Sequence, residues 1–264
     1  MEPQADIALI GLAVMGRNLI LNMNDHGVTV VAYNRTLSRV DDFMADEAKG
    51  TKVIGAHSIP EMVAHLKHPR RVMMLVKAGQ PVDEFIDKLL PHLAPGDIII
   101  DGGNSLYQDT IRRTKYVESQ GLLYIGAGVS GGEEGARIGP SIMPGGSEAA
   151  WPHVKDIFQA ISAKVDNDVP CCDWVGANGA GHYVKMVHNG IEYGAMAAYG
   201  EGFAMLHKAQ QEGVGFTIGN QVERVRLSTD SGEIAELWRR GSVVGSWLLD
   251  LAAASLHKDP NLTA

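Results

Sequence analysis

The feature that most constrains this chain lies close to its N-terminus. The short apolar run Asp6 to Ile10 leads into Gly11-Leu12-Ala13-Val14-Met15-Gly16. Arg17 to His26 follows as a helix, with Leu19, Ile20 and Met23 on one side and Gly27 as its stop. The order is strand, glycine turn, helix. It matches G-x-G-x-x-G with Ala13 at the second glycine, a place that must be small because a pyrophosphate approaches the backbone there. The helix N-terminus supplies unpaired N–H groups and the positive end of its dipole. Six residues alone are a weak signal. Followed by the β-rich run Val28 to Tyr33, which ends about 20 residues on, they specify a dinucleotide-binding unit with Gly11, Ala13 and Gly16 at the cofactor.

The second strand ends on Asn34-Arg35-Thr36. NAD sites usually carry Asp or Glu here to hold the ribose 2′-hydroxyl, and Asp41 and Asp42 come too late, inside the next helix. A position without a carboxylate, followed by a cation and a hydroxyl, suits the 2′-phosphate of NADP. A solvated loop arginine is the competing reading.

The alternation continues. Helices are expected near Ser38 to Glu47, Pro60 to His65, Pro81 to Leu90 and Asp109 to Ser119. Strands are expected at Lys52 to Ile54, Arg71 to Val76, Asp97 to Asp101 and Leu122 to Ile125. Continuous apolar strands alternating with helices imply a parallel sheet covered on both faces. After Trp174 the texture changes: Gly179 to Gln211 and Ile234 to Leu256 each read as one long helix, with a polar, Gly-rich loop from Gly213 to Ser231 between them. The expected architecture is a Rossmann-type, doubly wound α/β sheet over residues 1–178, followed by a partial all-α domain over residues 179–264.

Ligands of open α/β sheets bind beyond the carboxyl ends of the strands. Three such ends carry unusual residues: Lys77-Ala78-Gly79, Gly102-Gly103-Asn104-Ser105, and Gly128-Val129-Ser130-Gly131-Gly132. Asn104 and Ser130 are short hydrogen-bonding groups among glycines, although turn chemistry alone also favours these residue types.

The sharpest signal comes from helix arithmetic. Lys185, His188, Asn189 and Glu192 stand at i, i+3, i+4 and i+7 and line one face, while Val184, Val187 and Ile191 occupy another and are expected to supply the packing. A solvated face would be richer in Glu, Lys and Gln. Lys185 and Glu192 lie roughly 10 Å apart along the axis, leaving room for a small molecule between a base and an acid. A lysine desolvated in a closed cleft has its pKa lowered and can accept a proton, and a buried glutamate has its pKa raised and can donate one. Metal binding is not expected, since there is no H-E-x-x-H and one His with one Asn is a poor cage.

Composition excludes several classes. The 264 residues carry 23 Lys and Arg against 31 Asp and Glu, a net charge of −8, which argues against a nucleic-acid surface. The adjacent Cys171 and Cys172 read as reduced, structural thiols. The N-terminus lacks the pattern of a signal peptide, and there is no apolar run of about 18 residues, so a cytoplasmic protein without a membrane span is expected.

Together these motifs resemble the 6-phosphogluconate dehydrogenases, the decarboxylating enzymes of the pentose phosphate pathway. The resemblance rests on GLAVMGRNLILNMNDHG (11–27), YNRT (33–36), LVKAGQ (75–80), DIIIDGGNS (97–105), GVSGGEEGAR (128–137), PSIMPGG (140–146) and GAGHYVKMVHNGIEYG (179–194). The wider β-hydroxyacid dehydrogenases share the fingerprint, the Ser-Gly-Gly loop and a helical Lys and Asn, but not usually H-N-G-I-E-Y-G.

The resemblance implies that Lys185 takes the proton of the substrate 3-hydroxyl as hydride passes to NADP⁺. It further implies that Glu192 protonates C1 of the enediol left after CO₂ departs. Asn104, Ser130, Gly131, Gly132, His188 and Asn189 would hold the sugar acid and Tyr193 its phosphate. Gly11, Ala13, Met15, Gly16, Asn34, Arg35, Thr36, Val76, Lys77, Ala78 and Asn104 would line the cofactor. A homodimer is expected if the family's C-terminal region is present.

Two departures stand out. Met196 to Leu206 and Trp238 to Trp247 resemble the family's short bacterial form, whereas the sheet domain, with Cys171-Cys172-Asp173-Trp174, resembles the long form. The sequence also ends at Ala264, before the family's Gly-rich Lys/Arg-Trp-Thr segment and its later phosphate-binding Arg and His, so it reads as C-terminally short. Arg239 and Arg240 are candidates to compensate, against the plainer reading of a helix surface. The alternatives carried forward are another β-hydroxyacid dehydrogenase and a non-catalytic NADP-binding fragment.

Overall fold

Short β-branched runs bounded by glycine or polar turns become strands, and the amphipathic stretches between them become helices. The computed structural model describes residues 3–260. Its elements begin β1 (Ile7–Ile10), α1 (Val14–Asp25), β2 (Val30–Tyr33), α2 (Ser38–Ala45), β3 (Ile54–Ala56), α3 (Ile59–Ala64), β4 (Arg71–Met74), α4 (Gln80–Leu89), β5 (Ile98–Asp101) and α5 (Tyr107–Ser119). They continue with β6 (Leu123–Ser130), α6 (Gly132–Ile138), β7 (Ser141–Gly146), α7 (Trp151–Ile161), β8 (Lys164–Val165), β9 (Val169–Pro170) and β10 (Gly176–Ala177). The remainder is α8 (Ala180–Glu212), β11 (Val214–Ile218), β12 (Gln221–Val225), α9 (Ser231–Arg239) and α10 (Trp247–Lys258). The chain divides into two compact units, Met1–Val187 and His188–Ala264.

In the first unit eight strands form one sheet in the order β10-β7-β6-β5-β4-β1-β2-β3. β1 through β6 pair in parallel, and the order reverses between β1 and β4, where doubly wound sheets open their ligand crevice. Strand β1 shows why both faces are covered. Ile7 and Leu9 enter a core layer shared with Leu19, Phe43 and Phe158 of α1, α2 and α7. Ala8 and Ile10 enter the opposite layer with Met62, Phe85 and Val117 of α3, α4 and α5. All four β1 residues have no exposed surface.

The sheet departs from the sequence expectation in three places. β7 runs antiparallel to β6, with Ile125 opposite Gly146 and Ser130 opposite Ser141, so the sheet is not wholly parallel. β6 continues through Gly126 and Gly128 to Ser130 instead of stopping at Ile125; those glycines do not end the strand but clear one of its faces. β3 lies at Ile54–Ala56, later than the expected 52–54. Thr51 causes the shift, because its hydroxyl donates to Ala48 O and accepts from Val53 N, holding 51–53 in a turn.

The second unit is corrected twice. The stretch expected as a loop contains the hairpin β11–β12, in which Val214 faces Val225 and Ile218 faces Gln221. Its two-residue turn is Gly219-Asn220, with Gly219 at φ 63°, a hairpin signature present in the sequence. The helix expected from 234 to 256 is two helices. Ser246 starts the second by accepting a hydrogen bond from Leu249 N at 3.2 Å, and the bond from Gly245 N to Ser242 O turns the chain between them. Their core is Phe203, Ala235, Leu249, Ala253 and Leu256, with the Trp238 ring 5.9 Å from that of Phe203. Among the described residues no helix is long and apolar enough to cross a membrane.

Helix α1 is held against the sheet by more than apolar contact. Asn22 is buried, and its Nδ2 donates to Ala136 O at 3.1 Å and to Ile161 O at 3.0 Å, tying α1 to the ends of α6 and α7. Asn22→Ala leaves two buried carbonyls without this donor. Urea denaturation is expected to show a loss of about 1–3 kcal/mol.

Candidate functional site

The fingerprint folds as it does because a side chain has no room at two of its glycines. Gly11 has φ 112°, and a Cβ there would collide with the Leu75 carbonyl oxygen; one on Gly16 would collide with the Gly11 oxygen. Gly11 N donates to Tyr33 O at 2.9 Å, and Leu12 N to Asn34 Oδ1 at 3.2 Å. The N-cap of α1 is Ala13, extended and without a side-chain cap, and Ala13 and Val14 are exposed. The helix therefore presents open N–H groups at its positive end, a built place for an anion. Met15 beside them is half-buried.

Asn34 has a structural task. Its oxygen accepts from Leu12 N and its Nδ2 donates to Thr36 O at 3.0 Å, so it clamps the end of β2 to the fingerprint loop. Arg35 and Thr36 remain exposed beside it. Cradle, open helix end and a carboxylate-free β2 terminus together fit a dinucleotide carrying an extra phosphate.

The neighbouring strand ends converge on the same edge. Leu75 N donates to Ile10 O at 2.8 Å and leads into Val76, Lys77 and Ala78, the last two exposed. Gly102 N donates to Met74 O at 2.9 Å, and a Cβ on Gly103 would stand 3.2 Å from Val76 O, so the loops after β4 and β5 touch. Asn104 projects from this contact as an exposed residue. Asp101 shapes its loop by accepting from Gly103 N at 3.1 Å and from the Ser105 hydroxyl at 2.6 Å. Ser130 ends β6, Gly131 adopts φ 139° before α6, and Gly132 is exposed.

Lys185 reaches the sheet through glycine. The first turn of α8 presses onto β6 and β7: a Cβ on Gly181 would collide with Gly126 O and stand 2.8 Å from Gly145 N. A Cβ on Gly128 would collide with the Lys185 stem, which leaves Lys185 only 7% exposed. One turn earlier the His182 ring lies over Gly126, and its Nδ1 shares a 2.6 Å hydrogen bond with the Thr110 hydroxyl. Burial pushes the His182 pKa down, so the ring is neutral at pH 7. The face expected to pack is the wrong one. Val184, Val187 and Ile191 are 36%, 45% and 70% exposed, and the glycine, His182 and Lys185 side is buried instead.

In the second unit, His188 Nδ1 lies 3.1 Å from Asn189 Oδ1 and 3.7 Å from Glu192 Oε2, so these three groups cluster on their own turns of α8. Tyr193 is 69% exposed. Arg239 reaches Glu236 at 3.2 Å and Asp250 at 3.6 Å, which is the plainer structural reading of this cation.

Sequence reasoning missed the groups behind the loops: Asp83, Asp101, Thr110, Arg113 and His182. An Asp closing the apolar strand Ile98–Asp101 was the one available sign. Cys171 and Cys172 are free thiols, and burial pushes the Cys172 thiol up to about 12. Among the described residues no cluster of His, Cys, Asp or Glu could hold a metal ion.

This combination of sheet, crevice and fingerprint defines a dinucleotide-binding α/β domain of the dehydrogenase type. Comparison with known proteins makes the assignment specific. Residues 6–176 match the family model for the NAD binding domain of 6-phosphogluconate dehydrogenase, and residues 181–217 match the model for that enzyme's C-terminal domain. The decarboxylating 6-phosphogluconate dehydrogenase of Cunninghamella elegans is 60% identical over 95% of this chain and 48% of its own length. That of Homo sapiens is 68% identical over 77% of this chain and 42% of its own. The structure of the Plasmodium falciparum 6-phosphogluconate dehydrogenase, described as apo, with NADP⁺ and with 6-phosphogluconate, superposes with a TM-score of 0.81. It has 40% identity and covers 94% of this chain and 50% of that one. The chain belongs to the 6-phosphogluconate dehydrogenase family. It spans about half the length of the curated relatives it matches.

Two outcomes test this geometry. Gly128→Ala forces the Lys185 stem and α8 away from β6; overpacking of this kind is expected to cost about 1–3 kcal/mol. Faster amide exchange in the first turn of α8 would locate the effect. Hydrogen bonds from Arg113 hold the Asp83 carboxyl below the ordinary carboxylate range. Its contribution to stability is present above the unfolded carboxylate pKa and lost as pH falls through the folded one. Asp83→Asn is thus expected to be less stable than wild type at neutral pH, with the difference shrinking below about pH 4 in acid titrations followed by circular dichroism.

Proposed function

We propose that this chain carries the cofactor site and the proton-transfer helix of an NADP-dependent, decarboxylating 6-phosphogluconate dehydrogenase, producing ribulose 5-phosphate and CO₂. The observation that carries the reading is Lys185, buried against Gly128 at the ligand edge of the sheet. The uncapped α1 terminus and the exposed Arg35 and Thr36 support NADP. So does the Plasmodium falciparum relative, which is described with that cofactor.

NADP⁺ when bound supplies the acceptor for the hydride from C3 of the substrate. Lys185 accepts the proton of the C3 hydroxyl as that carbon becomes a carbonyl. The product is a β-keto acid, whose carboxylate carbon leaves as CO₂. Protonated Lys185 meanwhile donates a hydrogen bond to the new carbonyl oxygen and returns the proton as charge builds there. Glu192 then protonates the carbon that becomes C1 of the ketose while Lys185, neutral again, takes the proton of the adjacent enediol hydroxyl, which becomes the C2 carbonyl.

In this reading Asn104, Ser130, Gly131, Gly132, His188 and Asn189 hold the sugar acid and Tyr193 meets its phosphate. Gly11, Ala13, Met15, Gly16, Asn34, Arg35, Thr36, Val76, Lys77, Ala78 and Asn104 line the cofactor. A cytoplasmic setting is part of the same reading. A homodimer belongs to the same proposal. The apolar groove of the second unit, lined by Met196, Tyr199, Phe203, Leu248 and Leu251, is a surface that suits a subunit contact.

Purified protein is expected to reduce NADP⁺, followed by absorbance, with 6-phosphogluconate and to release one CO₂ per NADPH. Lys185→Ala is expected to lower turnover by about 10²–10⁴-fold. Faster turnover of a non-phosphorylated hydroxy acid would replace the proposal with another β-hydroxyacid dehydrogenase. NADP⁺ binding without turnover of any acid would leave a binding function for this chain alone.

A further inference from the structure

Behind the two loops that touch at Val76 and Gly103 lies one wholly buried cation. Arg113 of α5 has no exposed surface. Its Nε and Nη2 donate to the two Asp83 carboxylate oxygens at 2.9 and 3.0 Å, a bidentate pair that anchors it to α4. Nη2 also donates to Gly79 O at 2.9 Å, in the loop that follows β4. Nη1 donates to the Ser105 hydroxyl at 3.3 Å and lies 3.6 Å from Asp101 Oδ2, in the loop that follows β5. Ser105 in turn donates to Asp101, whose other oxygen holds Gly103 N. One planar guanidinium therefore spans both loops from behind.

Neutralising Asp83 does not require this reach. Arg112 already meets both Asp83 oxygens from the surface at 3.0 Å. A buried ion pair is weak evidence for stability, and its best attested use is to select one arrangement of the groups around it. Only a fork of five donors can serve Asp83, Gly79 and Ser105 at once; a lysine ammonium, with three donors at a single point, cannot.

We propose that Arg113 is a positioning residue that locks the cofactor-side loop Lys77-Ala78-Gly79 to the substrate-side loop Gly102–Ser105, so that the state of one loop is transmitted to the other. The proposal rests on the NADP reading of the preceding subsection. Arg113 touches neither ligand in this scheme; it acts through Gly79 O and Ser105 Oγ.

The test uses the full chain with NADP⁺ as the probe. Dissociation constants come from fluorescence titration, loop mobility from amide exchange at 77–79, and folding from thermal melts. Arg113→Lys keeps the charge but loses the fork. Ser105→Ala removes one hydroxyl and leaves the Asp83 pair intact, so it remains informative if the lysine variant fails to fold. Both substitutions are expected to speed exchange at 77–79 and to weaken NADP⁺ binding about five-fold or more. The double variant is expected to lose less than the sum of the two single losses, because both changes cut the Arg113–Ser105 link and only the Ser105–Asp101 bond is lost in addition. Wild-type exchange at 77–79 in Ser105→Ala, or additive losses in the double variant, overturns the coupling while leaving the cofactor reading intact. Failure of the unsubstituted chain to bind NADP⁺ overturns the cofactor reading and the coupling with it.

Discussion

The first unit depends on backbone approaching backbone with no side chain between. Gly11 lies on the Leu75 carbonyl, Gly16 on Gly11, and Gly181 on Gly126 and Gly145. Each contact joins two elements that a single methyl group would separate. The first pair brings the fingerprint turn against the end of β4. The Gly181 contact brings α8 onto β6 and β7 closely enough for the Lys185 stem to lie over Gly128. Proximity of cofactor edge and proposed base is thus a packing consequence of missing Cβ atoms, and the polar chemistry is mounted on it.

A second constraint is electrostatic. The sheet edge holds Asp101 and Arg113 with almost no solvent access, and His182 packs against the same elements in neutral form. Burial alone would lower the Arg113 pKa, but its hydrogen bonds to Asp83 and the nearby Asp101 carboxylate raise it, so the guanidinium stays charged. Burial and Asp101 push the Tyr124 hydroxyl well above its ordinary range, so it remains a neutral hydrogen-bond donor to Asp101. Groups with fixed protonation states make a rigid backing for the loops they support.

Much of this was legible from residue order. The β1–α1–β2 unit, the alternation through α5 and the long α8 follow from periodicity and glycine punctuation, with boundaries displaced by a few residues. The hairpin at 214–225 was also partly written in the sequence, as the alternation of Val214, Phe216 and Ile218 leading into Gly219-Asn220, but the polar composition of the following strand hid it. The break before Ser246 was harder to see. A Gly-Ser-Val-Val-Gly-Ser run can be carried within a helix or can end one, and the Ser246 cap decides between them.

By itself the sequence determined the local rules: which segments are strands, where an anion meets a helix end, and that Lys185, His188, Asn189 and Glu192 share one side of α8. Tertiary structure decided which side of that helix is inward. Helical spacing groups Val184, Val187 and Ile191 as readily into a buried stripe as it groups the polar residues into an exposed one. The choice was made by Gly126, Gly128 and Gly145, which lie far from α8 in sequence and whose missing side chains leave space only for the Gly181, His182 and Lys185 face. The tie from Arg113 to Gly79, Asp83 and Ser105 has the same origin, since partners about 8 to 34 residues away carry no local signature and meet only when the sheet is assembled.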